Sequence, residues 1–280
     1  YQLSRFVLLL LFKQITTEKT KMKTQNIFLT LSLSLFALPS CDTTEPVDPI
    51  DPIPGAKLVV VNSNITSNTT WYSDTTYQLG ARVSVESGAT LTIQPGTVIK
   101  GEAGAGANAT ALVVARGAKL MAQGTASAPI IFTSVADELS PDDVASGNFA
   151  SPNLEPTING LWGGVIILGN AKISASNSAG DVAEVQIEGI PTSDPNGLYG
   201  GTDDTDNSGT LQYISIRHGG TNIGAGNEIN GLTVGGVGTG TVIENIEVVA
   251  NQDDGLECFG GTVDLTNVVS WNVGDDGFDT

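Results

Sequence analysis

From Leu58 to Thr280 the chain runs in short apolar, β-branched stretches separated by clusters of Gly, Asn, Asp and Ser, with apolar and polar residues alternating inside the stretches. Period two marks strands with one buried face, and no segment keeps the 3.6-residue period of a helix, so helices should be few. Strands are expected within 161–174, 182–189, 211–220, 230–238, 241–252 and 262–274. The stretches also repeat. Residues 83–97 match residues 112–125 at an offset of 29, placing Val85 on Val114, Gly88 on Gly117 and Leu91 on Leu120. Residues 245–257 match residues 267–279 at an offset of 22, including an identical Asp-Asp-Gly. Unidirectional repeats of about 20 to 30 residues are coils of a solenoid. The fold class predicted is all-β, a right-handed parallel β-helix over 58–280, in which equivalent residues of adjacent coils stack about 4.8 Å apart. A β-sandwich or a propeller has a similar density of short strands, but the uneven coil lengths and single direction of repeat favour the β-helix.

Stacking turns the sequence into columns. If Ile214 and Ile216 point inward, alternation turns Tyr213, Ser215 and Arg217 outward, and the next coils add Asn245 and Asn267, Glu247 and Val269, Val249 and Trp271 to the same columns. Tyr213, Arg217 and Trp271 are therefore expected to form a saccharide platform, since aromatic faces stack on sugar rings and Arg pairs with carboxylates. The repeat also places Asp253 on Asp275 and Asp254 on Asp276. Two carboxylates at that spacing repel by about 3.5 kcal/mol at an effective dielectric of ~20. Either a cation neutralises them or they face solvent. Asp253, Asp254, Glu257, Asp275, Asp276 and Asp279 form the candidate metal set, because calcium takes six to eight oxygen ligands; in the competing reading each Asp-Asp-Gly is an Asx turn. A second acidic cluster, 203–209, opens like a calcium loop, but Ser215 stands where an EF-hand needs Glu. His218, the only histidine, is expected to be structural, and Cys258 to pack as a small apolar residue.

The charge is strongly uneven. Residues 41–280 carry 7 Lys/Arg against 29 acids, a net of −22, which excludes nucleic acid as a partner. Basic residues gather instead before residue 24. There Met22 and Lys23 open a basic segment, an apolar run follows from Ile27 to Leu38, and the run ends at Leu38-Pro39-Ser40-Cys41. This resembles a bacterial lipoprotein signal peptide over 22–40, with Cys41 in the position that receives the lipids. Residues 1–21 read as upstream sequence outside the natural protein. Residues 41–57, alternating Pro with acids, read as an extended tether. At the other end the chain stops directly after a repeat motif without the polar cap a solenoid needs, so it reads as a fragment of a longer β-helix.

The strings WGGVIILGNA, DNSGTLQYISIRHGG and the twin Asp-Asp-Gly motifs resemble the right-handed parallel β-helix lipoproteins of Gram-negative envelopes, a family mostly of unassigned function. The resemblance spans 58–280 and implies an envelope location, lipid-anchored at the outer membrane or cell surface. It leaves oligomeric state and activity open. Two functions are expected to compete: a non-enzymatic module that binds a glycan or another surface partner, stabilised by calcium, and a calcium-dependent lyase acting on an acidic polysaccharide. Calcium-dependent β-helical lyases carry a similar Asp-Gly-apolar-Asp pattern at their metal sites and use Lys or Arg as base, which would cast Arg217 in that role.

Overall fold

The computed structural model describes residues 57–224 and 227–280. The expected signal peptide, the acceptor Cys41 and the tether up to residue 56 lie outside the described residues. What is described is a parallel β-helix, each complete coil contributing a strand to each of three faces.

Face 1 stacks β1 (Lys57–Val61), β3 (Thr75–Leu79), β6 (Val98–Gly101), β9 (Ile130–Ser134) and the second halves of β15 (Gly209–Arg217), β19 (Val242–Val249) and β21 (Leu265–Trp271). Face 2 stacks β4 (Arg82–Val85), β7 (Ala111–Val114), β10 (Val165–Leu168), β18 (Leu232–Val237), β20 (Leu256–Gly261) and β22 (Phe278–Asp279). Face 3 stacks β2 (Thr69–Trp71), β5 (Thr90–Ile93), β8 (Lys119–Gln123) and the first halves of β15, β19 and β21. All these pairings are parallel, and the predicted registers hold: Val85 lies on Val114, Leu91 on Leu120 and Ile246 on Val268.

Alternation places one side chain in two inside the coil. Val83, Leu112, Val165, Leu232 and Leu256 form one vertical stack in the core, and Tyr77, Ile99, Phe132, Ile216 and Val248 another. Burying such a side chain contributes roughly 1.5–3 kcal/mol relative to exposure, so the columns supply most of the drive to coil. The long strands turn from face 3 to face 1 at Tyr213, Asn245 and Asn267, whose φ angles are 49°, 57° and 55°. Asn tolerates this left-handed conformation better than most residues. Here the Asn267 amide also donates to Asn245 Oδ1 at 3.2 Å, so the bend is tied from coil to coil.

Two insertions interrupt the fourth coil, and neither is visible in the repeat. The first, 135–164, carries the short helix α1 (Pro141–Ala145), started by a capping box between Ser140 and Asp143. Its Leu139 and Val144 cover the outward Val98 and Ile131 of face 1. The second, 169–208, contains two small hairpins, β11 (Ala175–Asn177) with β12 (Gly180–Val182) and β13 (Val185–Gln186) with β14 (Leu198–Tyr199). The strand expected over 182–189 is thus part of an insertion and not of a coil. Ile187, Ile190 and Tyr199 cover the outward Val113, Ile166 and Leu168 of face 2. This explains the unbroken apolar run of β10, which is buried on both sides. A further pair, β16 (Asn222–Gly224) with β17 (Asn227–Glu228), forms a hairpin before β18.

Candidate metal centre

The turn from face 1 to face 2 holds the acidic ladder. The pairing Leu232, Leu256 and Phe278 sets the register of three equivalent turns, Asn230-Gly231-Leu232-Thr233, Asp254-Gly255-Leu256-Glu257 and Asp276-Gly277-Phe278-Asp279. Gly231 N–H donates to the Asp254 carbonyl, and Gly255 N–H to that of Asp276. Gly231 and Gly255 are required by close approach: a Cβ on Gly255 would lie 2.1 Å from Ser270 Oγ and 2.7 Å from the Gly277 carbonyl.

Two groups of carboxylates result. Asp253, Asp254 and Asp275 offer one oxygen each within 4.8 Å of one another, and so do Asp254, Glu257 and Asp279. Asp254 belongs to both and is 7% exposed; Glu257 is half-buried, while Asp275 and Asp279 are open to solvent. The Asp276 carboxylate falls in neither group. Its backbone N–H instead donates to Asp254 Oδ1 at 2.8 Å, a bond between coils where an Asx turn would bond within one.

The electrostatics are one-sided. Burial pushes the Asp254 carboxyl above its ordinary value, as do the charges of Asp279, Asp275 and Asp276, against the opposing Asp276 N–H bond. Burial also drives Glu257 up to about 7, helped by Glu188, Asp254 and Asp279, while the amide of Asn230 partly offsets them. That amide donates to Glu257 Oε2 at 2.6 Å. No cationic side chain contributes to the shifts of Asp254 and Glu257. Five of the described Lys and Arg residues pair with other acids: Lys57 with Asp74, Arg82 with Asp194, Arg116 with Glu184, Lys172 with Asp204 and Arg217 with Glu247. A set of hard oxygen ligands at this spacing has the donor chemistry that calcium takes. Asn230 and Glu188 were not among the residues singled out from sequence, although the Asn-Gly-Leu-Thr string repeats the Asp-Gly-apolar-acid motif one coil earlier.

The expected saccharide platform requires correction. Arg217 is in the predicted column, on Val249 and then Trp271, but it is only 7% exposed. Its Nε donates to Ser215 Oγ at 2.6 Å, one terminal nitrogen to the Phe149 carbonyl in the first insertion, and the other lies 3.6 Å from Glu247. Tyr213 is half-buried at the left-handed bend. Trp271, 51% exposed, is the member of the trio open to solvent. The other motifs are structural. In the 203–209 cluster Asp203 closes a turn on Thr205, Asp204 pairs with Lys172, and Asp206 accepts from Asn170 and Ser208. His218 is buried with Nδ1 against the Ile158 carbonyl, and burial lowers its pKa. Cys258 is half-buried against the core, and burial raises its thiol.

No curated protein and no solved structure matches the chain. The family model of the pectate-lyase-like β-helix domain does match, over residues 63–147 and 149–280, which takes in every coil from β2 to β22 together with both insertions. With its stacked parallel faces and its ladder of acids, the chain belongs to the pectate-lyase-like β-helix domain family.

Proposed function

We propose that this β-helix is a calcium-stabilised, non-enzymatic binding module for an acidic glycan, held at the cell envelope, at the outer membrane or cell surface, through a lipidated Cys41. The observation that carries it is the pair of three-carboxylate groups that share Asp254, in which burial and neighbouring acids raise both Asp254 and Glu257. A dication seated there would reverse the local sign of a strongly acidic surface and present open ligand positions to a sugar carboxylate. Trp271 ends the strand that leads into the Asp275 turn and offers an apolar face for stacking on a sugar ring. Affinity electrophoresis through gels containing an acidic or a neutral polysaccharide tests this. Retardation is expected with the acidic glycan and calcium, and its loss with chelator; migration at background with calcium supplied would overturn the reading.

The alternative is a calcium-dependent lyase. Elimination needs a base for the proton α to the uronate carboxylate in addition to the metal. Arg217 is enclosed by Ser215, Glu247 and Phe149, and Lys100, whose ammonium burial pulls below its ordinary range, donates to the Asp137 carbonyl. Both bases are occupied by partners on face 1, which favours the binding reading. Unsaturated uronate products that form with calcium and vanish in Arg217→Ala would replace it with the lyase.

A further inference from the structure

The corner where face 3 turns into face 1 carries a column of outward side chains apart from the carboxylate ladder. Trp71, Ile93, Ala122, Leu211, Ile243 and Leu265 stack inward in register, so alternation turns the next residue of each coil outward: Tyr72, Gln94, Gln123, Gln212, Glu244 and Thr266. At about 4.8 Å per coil the column runs roughly 24 Å along the stack. Every member is exposed or half-exposed, whereas the two insertions cover outward residues of faces 1 and 2.

Hydrogen bonds from coil to coil order the column before any ligand arrives. Gln94 Oε1 accepts from Ser73 N–H at 3.4 Å, the Gln123 amide donates to Gln212 Oε1 at 3.4 Å, and the Gln212 amide donates to Glu244 Oε1. A side-chain amide has two N–H donors and two lone pairs, so each Gln keeps groups to offer sideways, and its ordering cost on binding is reduced. The backbone that carries Tyr72 is fixed as well. Trp71 stacks on Tyr77 inside the coil at 4.7 Å, the Tyr77 hydroxyl accepts from Tyr72 N–H at 3.0 Å, and the Tyr72 carbonyl accepts from Thr75 N–H at 3.2 Å. The Tyr72 side chain is 52% exposed and lines a cleft of about 530 Å³ with Lys57, Ser73, Asp74, Thr75 and Gln94. That volume lies within the range of small-molecule sites.

An aromatic face beside amides and hydroxyls is the chemistry that recognises a sugar, which stacks through its C–H face and bonds through hydroxyls that both donate and accept. Charge decides the class of sugar. The column contains no Lys or Arg, Glu244 adds a negative charge, and Lys57 at its end is paired with Asp74. A uronate would meet repulsion there, and a neutral glycan would not.

We propose that this corner binds a neutral polysaccharide lying along the solenoid axis, with one ring on Tyr72 and the hydroxyls of successive units on Gln94, Gln123 and Gln212. The site needs no metal.

Affinity electrophoresis of the intact chain in chelator, through gels of hydroxyethylcellulose, galactomannan or dextran, tests this. Because chelator is present throughout, the outcome does not depend on the acidic-glycan reading. Retardation is expected in at least one of the three gels. Tyr72→Ala and Gln123→Ala change exposed side chains and should melt with the wild type. The first should weaken binding about tenfold, the loss of a stacked ring, and Tyr72→Phe should restore most of it. The second should weaken binding about threefold, the loss of one hydrogen bond. No retardation in any of the three gels would overturn the proposal, and so would retardation that Tyr72→Ala and Gln123→Ala both leave unchanged.

Discussion

Among single residues, Glu257 has the sharpest consequence. It titrates near 4.5 in the unfolded chain and at about 7 when folded, chiefly because it is buried among other acids. Between those values the folded state holds a proton that the unfolded state has released. Its contribution to stability is therefore fully present below pH 4.5 and is lost as pH rises to about 7. At about 1.4 kcal/mol per pH unit, discounted for partial exposure, the loss is roughly 2 kcal/mol. Denaturant titrations in chelator should show the wild type losing stability between pH 5 and 7.5, with Glu257→Gln losing about 2 kcal/mol less over that range. At pH 7.5 in chelator the Gln variant should be the more stable protein, because Gln still accepts from Asn230 and carries no charge. Saturating calcium should reverse the order, since the wild type gains a charged ligand and the variant does not. At 100 times Kd an ion contributes about 2.7 kcal/mol, a rise in Tm of roughly 5–10 °C for a domain of this size. A Gln variant less stable than wild type in chelator at pH 7.5 would show that the carboxylate is not under repulsion.

Strands and turns were legible in the sequence to different degrees. The face-1 registers could be read because Ile214, Ile216, Ile246 and Val248 alternate with polar residues, and inward columns must be apolar. The ladder turns could be read from the twin Asp-Asp-Gly. The third turn, at Asn230, repeats the motif with neutral residues and so carries no charge signal. The insertions were not legible: 182–189 alternates like a coil strand, yet Ile187 alternates toward the outside of face 2, because a flap that covers a sheet also needs one apolar face. The first insertion covers face 1 in the same way and buries Arg217, whose column was predicted correctly and whose exposure was not, since strand period gives direction and says nothing of what lies above. The bends from face 3 to face 1 are a testable element. Asn245 at φ 57° is bonded through its side chain to Asn267, so Asn245→Ala should cost about 1–2 kcal/mol from left-handed strain and the lost bond. Asn245→Gly should cost less, because glycine removes the strain. Urea unfolding of the three proteins checks the order, and equal losses for Ala and Gly would assign the whole effect to the side-chain bond.

For the molecule as a whole, the fold was legible from repeat length because a solenoid is nearly one-dimensional: each coil touches its neighbours, and equivalence in sequence becomes adjacency in space. The same property limits how far an ion's effect can travel. The ladder carboxylates come from two adjacent turns, one before β20 and one before β22, with Asn230 before β18 as the lower contact. The coils of β3 to β8 touch none of them. Calcium should therefore slow amide exchange most in 251–257 and 273–279, less in β18 and β19, and little in β3 to β8. The two insertions could extend the effect, since Arg217 joins β15 to the first and Tyr199 of the second packs edge-on to Phe259 of β20 at 6.1 Å. Protection that also rises in 185–199 would identify the second insertion as the route. If calcium instead slowed exchange uniformly from β3 to β22, the domain would unfold as one unit, and nearest-neighbour coupling between coils would be the wrong description of its energetics.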